Sequence, residues 1–163
     1  MLTVYLYDET AKAVAVVTIA GNSAVTTDLY QNYLIVEDED ASEITNADLD
    51  TANNNGDTDI DAIYTIGAST SLVTPSGITL YIGGSTGYTP GGDLDLGGGM
   101  SMNGTSVFTQ NTQQLNIAGD FFADRFTTYG ATGGTTTFDG TSAQSIAPDD
   151  AFNNVQISNT SAT

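Results

Sequence analysis

Cysteine, histidine and tryptophan are absent from the 163 residues, and lysine and arginine together number 2. Each gap removes a class of chemistry. Without thiols or imidazoles the chain cannot build a thiolate nucleophile, a His-containing triad, or a zinc or haem site from those ligands. A cysteine-free chain is also indifferent to redox compartment. With 20 Asp and Glu against 2 cations the formal net charge is −18, a field that repels nucleic acid and anionic membrane surfaces alike. No apolar run reaches the roughly 18 residues needed to cross a bilayer, so direct membrane insertion is not expected. Residues 1–21 lack the basic segment and long apolar core of a secretory signal. Carboxylates, hydroxyls, amides, Lys12 and Arg125 remain as functional polar groups.

Apolar residues make up 39% of the chain, enough for a core, and they fall in short β-prone runs of Val, Ile, Leu, Phe and Tyr. The fold class read from this pattern is all-β. Leu2, Val4 and Leu6 alternate with Thr3, Tyr5 and Tyr7, which predicts a strand with one side toward a core. Residues 13–19 form a second run, so the pair reads as a hairpin. One or two further strands are expected in residues 24–36. The polar stretch 37–62 reads as a loop with one helical turn near residues 42–50, after which Ile60, Ile63, Tyr64 and Ile66 return to strand pattern.

Past Gly67 the texture changes to Gly, Thr and Ser, with apolar packets separated by turns: Ile78/Leu80/Ile82, Leu94/Leu96, Met100/Met102, Val107/Phe108, Leu115/Ile117, Phe121/Phe122, Phe138, Ile146 and Val155/Ile157. Residues 83–92 and 121–133 read as long loops. The organisation expected is an N-terminal β unit or cap with an acidic loop over residues 1–70, and a Gly/Thr-rich, solenoid-like region over residues 71–163.

One internal echo is visible: residues 97–106, GGGMSMNGTS, align with residues 133–142, GGTTTFDGTS, 36 positions on. Two circuits of about 18 residues would produce it in a parallel β-helix-like solenoid. The alternative is a β-sandwich in which both copies are strand–turn–strand units, since NG and DG favour hairpin turns. Residues 133–146, GGTTTFDGTSAQSI, with residues 152–159, FNNVQISN, resemble the repeats of large secreted bacterial surface proteins and adhesins. The resemblance covers the C-terminal half. It implies parallel β-helical stalks and a cell-surface location, and specifies no ligand.

Among residues that carry chemistry, Asn53, Asn55, Asp57, Asp59 and Asp61 alternate around Gly56 as an oxygen-lined Ca²⁺ loop requires. The loop resembles those of dockerins and EF-hands. It departs from them in having Thr58 at the mid-loop glycine position and Tyr64 at the closing glutamate position. Tyr81, Tyr88 and Tyr129 are candidates to stack on sugar rings. Carboxylate pairs for glycoside chemistry, such as Asp93 with Asp95, Asp120 with Asp124 or Asp149 with Asp150, have nothing in the sequence tying them to a groove. No catalytic residue is assigned, and an enzyme is not expected. The function expected is a non-catalytic structural or adhesive module of an extracellular or cell-surface protein, self-assembling into filaments or joining neighbouring modules through strand edges. The alternative is a carbohydrate-binding or polysaccharide-active β-helix module, with glycans as partners.

Overall fold

The computed structural model describes residues 1–8, 10–19, 27–40, 43–53 and 58–161. The chain is all-β. It opens with β1 (Leu2–Tyr7) and β2 (Lys12–Thr18), an antiparallel pair, as the hairpin reading expected. Strand β3 (Tyr33–Asp38) follows, then the short helices α1 (Asn46–Asn53) and α2 (Thr58–Asp61). Thr45 starts α1: its amide and hydroxyl both donate to Asp48 Oδ2, at 2.9 and 2.7 Å, and its hydroxyl oxygen accepts from the Asp48 amide at 3.4 Å, a reciprocal cap. The remaining strands are short: β4 (Thr65–Ile66), β5 (Leu72–Thr74), β6 (Thr79–Ile82), β7 (Gly87–Tyr88), β8 (Leu94–Leu96), β9 (Met100–Met102), β10 (Val107–Thr109), β11 (Leu115–Ile117), β12 (Phe121–Ala123), β13 (Thr128–Gly130), β14 (Thr135–Phe138), β15 (Ile146–Ala147) and β16 (Asn154–Ile157).

These strands form three sheets. The seven-stranded sheet runs β1-β2-β3-β6-β9-β12-β15, the six-stranded one β4-β5-β8-β11-β14-β16, and the three-stranded one β7-β10-β13. From β5 onward the chain visits them in cyclic order, six-stranded, seven-stranded, three-stranded, until β15 is followed by β16. Among the described residues, antiparallel pairing is confined to β1 with β2 and β4 with β5. Every other ladder is parallel.

Register turns the packets into inward columns of side chains, buried except in the last layer. Leu34, Leu80, Met100, Phe121 and Ile146 lie opposite one another along the seven-stranded sheet. Leu72, Leu94, Leu115, Thr136 and Val155 do the same along the six-stranded sheet, with Leu96, Ile117, Phe138 and Ile157 two residues further on. In the three-stranded sheet Tyr88, Phe108 and Tyr129 stack with ring centroids 5.7 and 5.4 Å apart. One buried cluster runs from Val14 through Leu49, Ile63 and Tyr88 to Phe138.

The 36-residue echo is not the period of these ladders. Leu94 lies opposite Leu115, and Leu115 opposite Thr136, each 21 positions on. Met100–Met102 belongs to the seven-stranded sheet, whereas Thr135–Phe138 belongs to the six-stranded one. Both copies follow a glycine corner, and the corner is what the motif encodes. At Gly98 a Cβ would lie 2.3 Å from the Ile78 carbonyl oxygen, so the chain turns there only because no side chain intervenes.

The accessible surface is 7791 Å², close to the roughly 7,650 Å² that a compact monomer of this mass exposes. No described helix is long and apolar enough to cross a membrane.

Candidate functional site

Alternation within the strands sends every second residue of the seven-stranded sheet outward. The outward column reads Ile35, Tyr81, Ser101, Phe122 and Ala147. Its first part is covered: Leu29, Tyr33 and Tyr81 pack on Ala15, Val17 and Ile35, a second apolar cluster separate from the main core. Tyr30, from the segment before β3, completes a group of three rings. Tyr30 lies 6.0 Å from both Tyr33 and Tyr81, and Tyr33 lies 6.3 Å from Tyr81, with interplanar angles of 64–80°. These edge-to-face contacts are the favoured geometry for aromatic pairs and fix the ring orientations.

Gly83 makes room for this arrangement, since a Cβ there would lie 2.6 Å from Tyr81 Cε1. Beyond the tyrosines the face opens. Two cavities of about 400 and 240 Å³ both touch Tyr33 and Ser101. The larger reaches Phe122 over a floor of Gly97, Gly98 and Gly99; the smaller is bounded by Tyr30, Tyr81 and Asn103. Phe122 is 51% exposed. Acidic groups fringe the face: Asp28 is the leading cause that raises the Tyr30 hydroxyl above its ordinary value. Burial holds the Glu37 carboxyl above its usual range, with Glu39 and Asp28 adding to the effect.

Of the three tyrosines singled out from sequence, Tyr81 belongs to this face. Tyr88 and Tyr129 do not; both are core residues with satisfied hydroxyls. Tyr88 donates to Asn46 Oδ1, and Asn46 Nδ2 donates to the Thr70 carbonyl at 2.6 Å. Tyr129 is hydrogen-bonded to Gln110 Oε1 and, at 2.7 Å, to Thr136 Oγ1. Gln110 Nε2 in turn donates to the carbonyls of Gln113 and Thr135 at 2.7 and 3.1 Å. Burial moves both phenols up, Tyr129 to about 12. Their rings fill the space behind two- and three-residue strands, which is why neither reaches the surface.

The proposed calcium loop is described in part. Asn53 ends α1, Asp59 and Asp61 lie in α2, and Asn55 and Asp57 lie outside the described residues. Asn53 Nδ2 donates to Asp61 Oδ1 at 2.9 Å and to the Tyr64 carbonyl at 3.3 Å, while its Oδ1 is buried with no hydrogen-bond partner. Among the described residues no group of three carboxylates converges on one point.

The carboxylates weighed for glycoside chemistry have another task. Asp93 Oδ1 accepts from the Gln114 amide at 2.8 Å, Asp120 Oδ1 from the Ser145 amide at 2.7 Å, and Asp150 Oδ2 from the Tyr129 amide at 2.8 Å. Each bond ties one level of a ladder to the next, a charge-assisted contact to backbone. Nothing in the sequence distinguishes these aspartates from solvated ones.

Comparison with protein-family models, curated proteins and solved structures finds no match for the chain.

Proposed function

We propose that the chain is a non-catalytic structural or adhesive module of an extracellular, cell-surface protein, in which the three ladders are the faces of a parallel β-solenoid. The observation that carries this reading is the cyclic passage through three parallel sheets with inward columns in register. A sandwich packs two mainly antiparallel sheets, so the parallel pairing supports the solenoid over that alternative. The repeat-like sequence of residues 133–159 supports the surface location.

In this reading residues 1–70 cap one end. Ile44 bridges to Tyr88 at the edge of the three-stranded sheet, and β4 pairs antiparallel with β5 at the edge of the six-stranded one. Such contacts blunt free strand edges. The edges of β15 and β16, which carry no further strand among the described residues, are then the places for neighbouring modules or further copies of the chain, with the −18 charge limiting association until counter-ions screen it. Ca²⁺ at Asn53, Asn55, Asp57, Asp59 and Asp61 is part of the proposal, supported by the unpartnered Asn53 Oδ1. The engagement of Asp93, Asp120 and Asp150 with backbone amides supports a non-catalytic role.

The test is protease shaving of intact source cells followed by immunoblotting. Loss of the protein from unbroken cells is the expected result, and protection until lysis would refute a surface location. Calorimetric titration of chelator-treated protein with Ca²⁺ is expected to give binding heat that the Asp57→Asn/Asp59→Asn double variant lacks. Equal heat from both proteins removes the loop as the site.

A further inference from the structure

The outward column of the seven-stranded sheet has a gap in it. Tyr81 on β6 and Phe122 on β12 stand either side of Ser101 on β9. Neighbouring strands are about 4.8 Å apart, which roots the two rings roughly 9.6 Å from each other with one hydroxymethyl between them. Both cavities on this face lie against Ser101 and Tyr33, the larger bordered by Phe122 and glycine backbone, the smaller by Tyr30, Tyr81 and Asn103. Phe122 holds half its surface in water, and Tyr81 is half-buried with part of its ring against the smaller cavity.

We propose that this cleft binds a neutral glycan chain laid across the strands, its sugar rings stacking on Tyr81 and Phe122 and its hydroxyls bonding to Ser101 and Asn103. Three features fit that chemistry. An aromatic ring offers an apolar face to the C–H side of a pyranose, and a tyrosine adds a polar edge. The strand spacing is close to the length of one pyranose unit, so rings on alternate strands are in step with alternate sugars. The lining supplies hydroxyl, amide and backbone groups but no cation. The two cations of the chain are engaged elsewhere, Lys12 over the Tyr7 ring at 5.5 Å and Arg125 over Phe126 at 4.4 Å. With a net charge of −18, and Asp120 as the one carboxylate in the lining, a polyanionic glycan has nothing to hold it. Asp120 is itself bonded to the Ser145 amide.

The inference rests on the register of one sheet and not on a surface location, so the two can fail separately. Affinity electrophoresis in native gels containing a β-glucan, a xylan, a galactomannan or, as polyanion, alginate provides the test. Retardation is expected in at least one neutral gel and not in alginate. Tyr81→Ala and Phe122→Ala are each expected to weaken it roughly three- to tenfold, and Ser101→Trp, which fills the gap, to abolish it. No retardation by any neutral polysaccharide, retardation by alginate alone, or undiminished retardation of Ser101→Trp would overturn the proposal. Should circular dichroism show Ser101→Trp unfolded, Phe122→Ala decides at an exposed position: undiminished retardation there is equally fatal.

Discussion

The two ends of the ladders carry similar residues and treat them differently. At the end where the ladders begin, Ile44, Leu49, Ile60, Ile63 and Tyr64 are buried to 2% exposure or less, because α1, α2 and the segments around them lie over the first strands. At the far end Ile146, Val155 and Ile157 continue the same inward columns as Phe121, Thr136 and Phe138, yet they are 40, 50 and 63% exposed. Hydrophobicity is therefore not what separates them. A residue in a column is buried by the layer above it, and the last layer has none among the described residues. Phe152 is the partial exception: its ring sits 5.1 Å from Tyr129 and 5.2 Å from Phe121, filling the level above Tyr129 where the three-stranded sheet has ended.

That difference can be broken or sharpened by substitution. The largest effect is expected in the middle of the stack, where Phe108 is buried between Tyr88 and Tyr129: Phe108→Ala should cost about 3–5 kcal/mol in urea denaturation. At the ends, Ile63→Ala should cost about 2–4 kcal/mol and Ile157→Ala less than about 0.5 kcal/mol. Equal costs would remove the contrast between covered and open ends. Gln110→Leu keeps the volume but strips the partners of Tyr129, Thr136 and two carbonyls, so a loss of about 1–3 kcal/mol is expected.

The smallest effect concerns Glu37. Its folded value lies above the ordinary 4.5, so the fold favours the protonated form. The associated stability is fully present below pH 4.5 and is lost as pH rises through the folded value. Glu37→Gln should thus raise the melting temperature slightly at neutral pH and leave it unchanged in acid. A lower melting temperature at neutral pH would reverse the sign of the proposed burial cost.

Much of the strand content was legible. Each apolar packet past Gly67, from Ile78/Leu80/Ile82 to Val155/Ile157, coincides with a strand, because alternation survives even in three residues. The strands β7 and β13 were hidden in apparent loops, since each shows a single buried aromatic and no alternation. Their signal was spacing: Tyr88, Phe108 and Tyr129 recur at 20 and 21 positions, close to the ladder interval, but the glycine corners drew attention to an interval of 36 that joins different sheets. Residues 2–7 read as a strand with one side toward a core, whereas Leu2, Tyr5, Leu6 and Tyr7 of β1 are all substantially exposed. The tyrosine face was legible only at Tyr81. Tyr30 and Tyr33 reach it through the parallel pairing of β3 with β6, a contact between residues over 40 positions apart that no local pattern encodes.

Native-state hydrogen exchange, resolved by residue, bears on the contrast between the ends without altering the chain. Ladder amides of β3, β6, β8, β9, β11 and β12 should exchange slowest, those of α1 and β5 at the covered end nearly as slowly, and those of β15 and β16 faster by orders of magnitude. Protection as strong in β16 as in β11, or weaker in β5 than in β16, would contradict a stack that is covered at one end and open at the other.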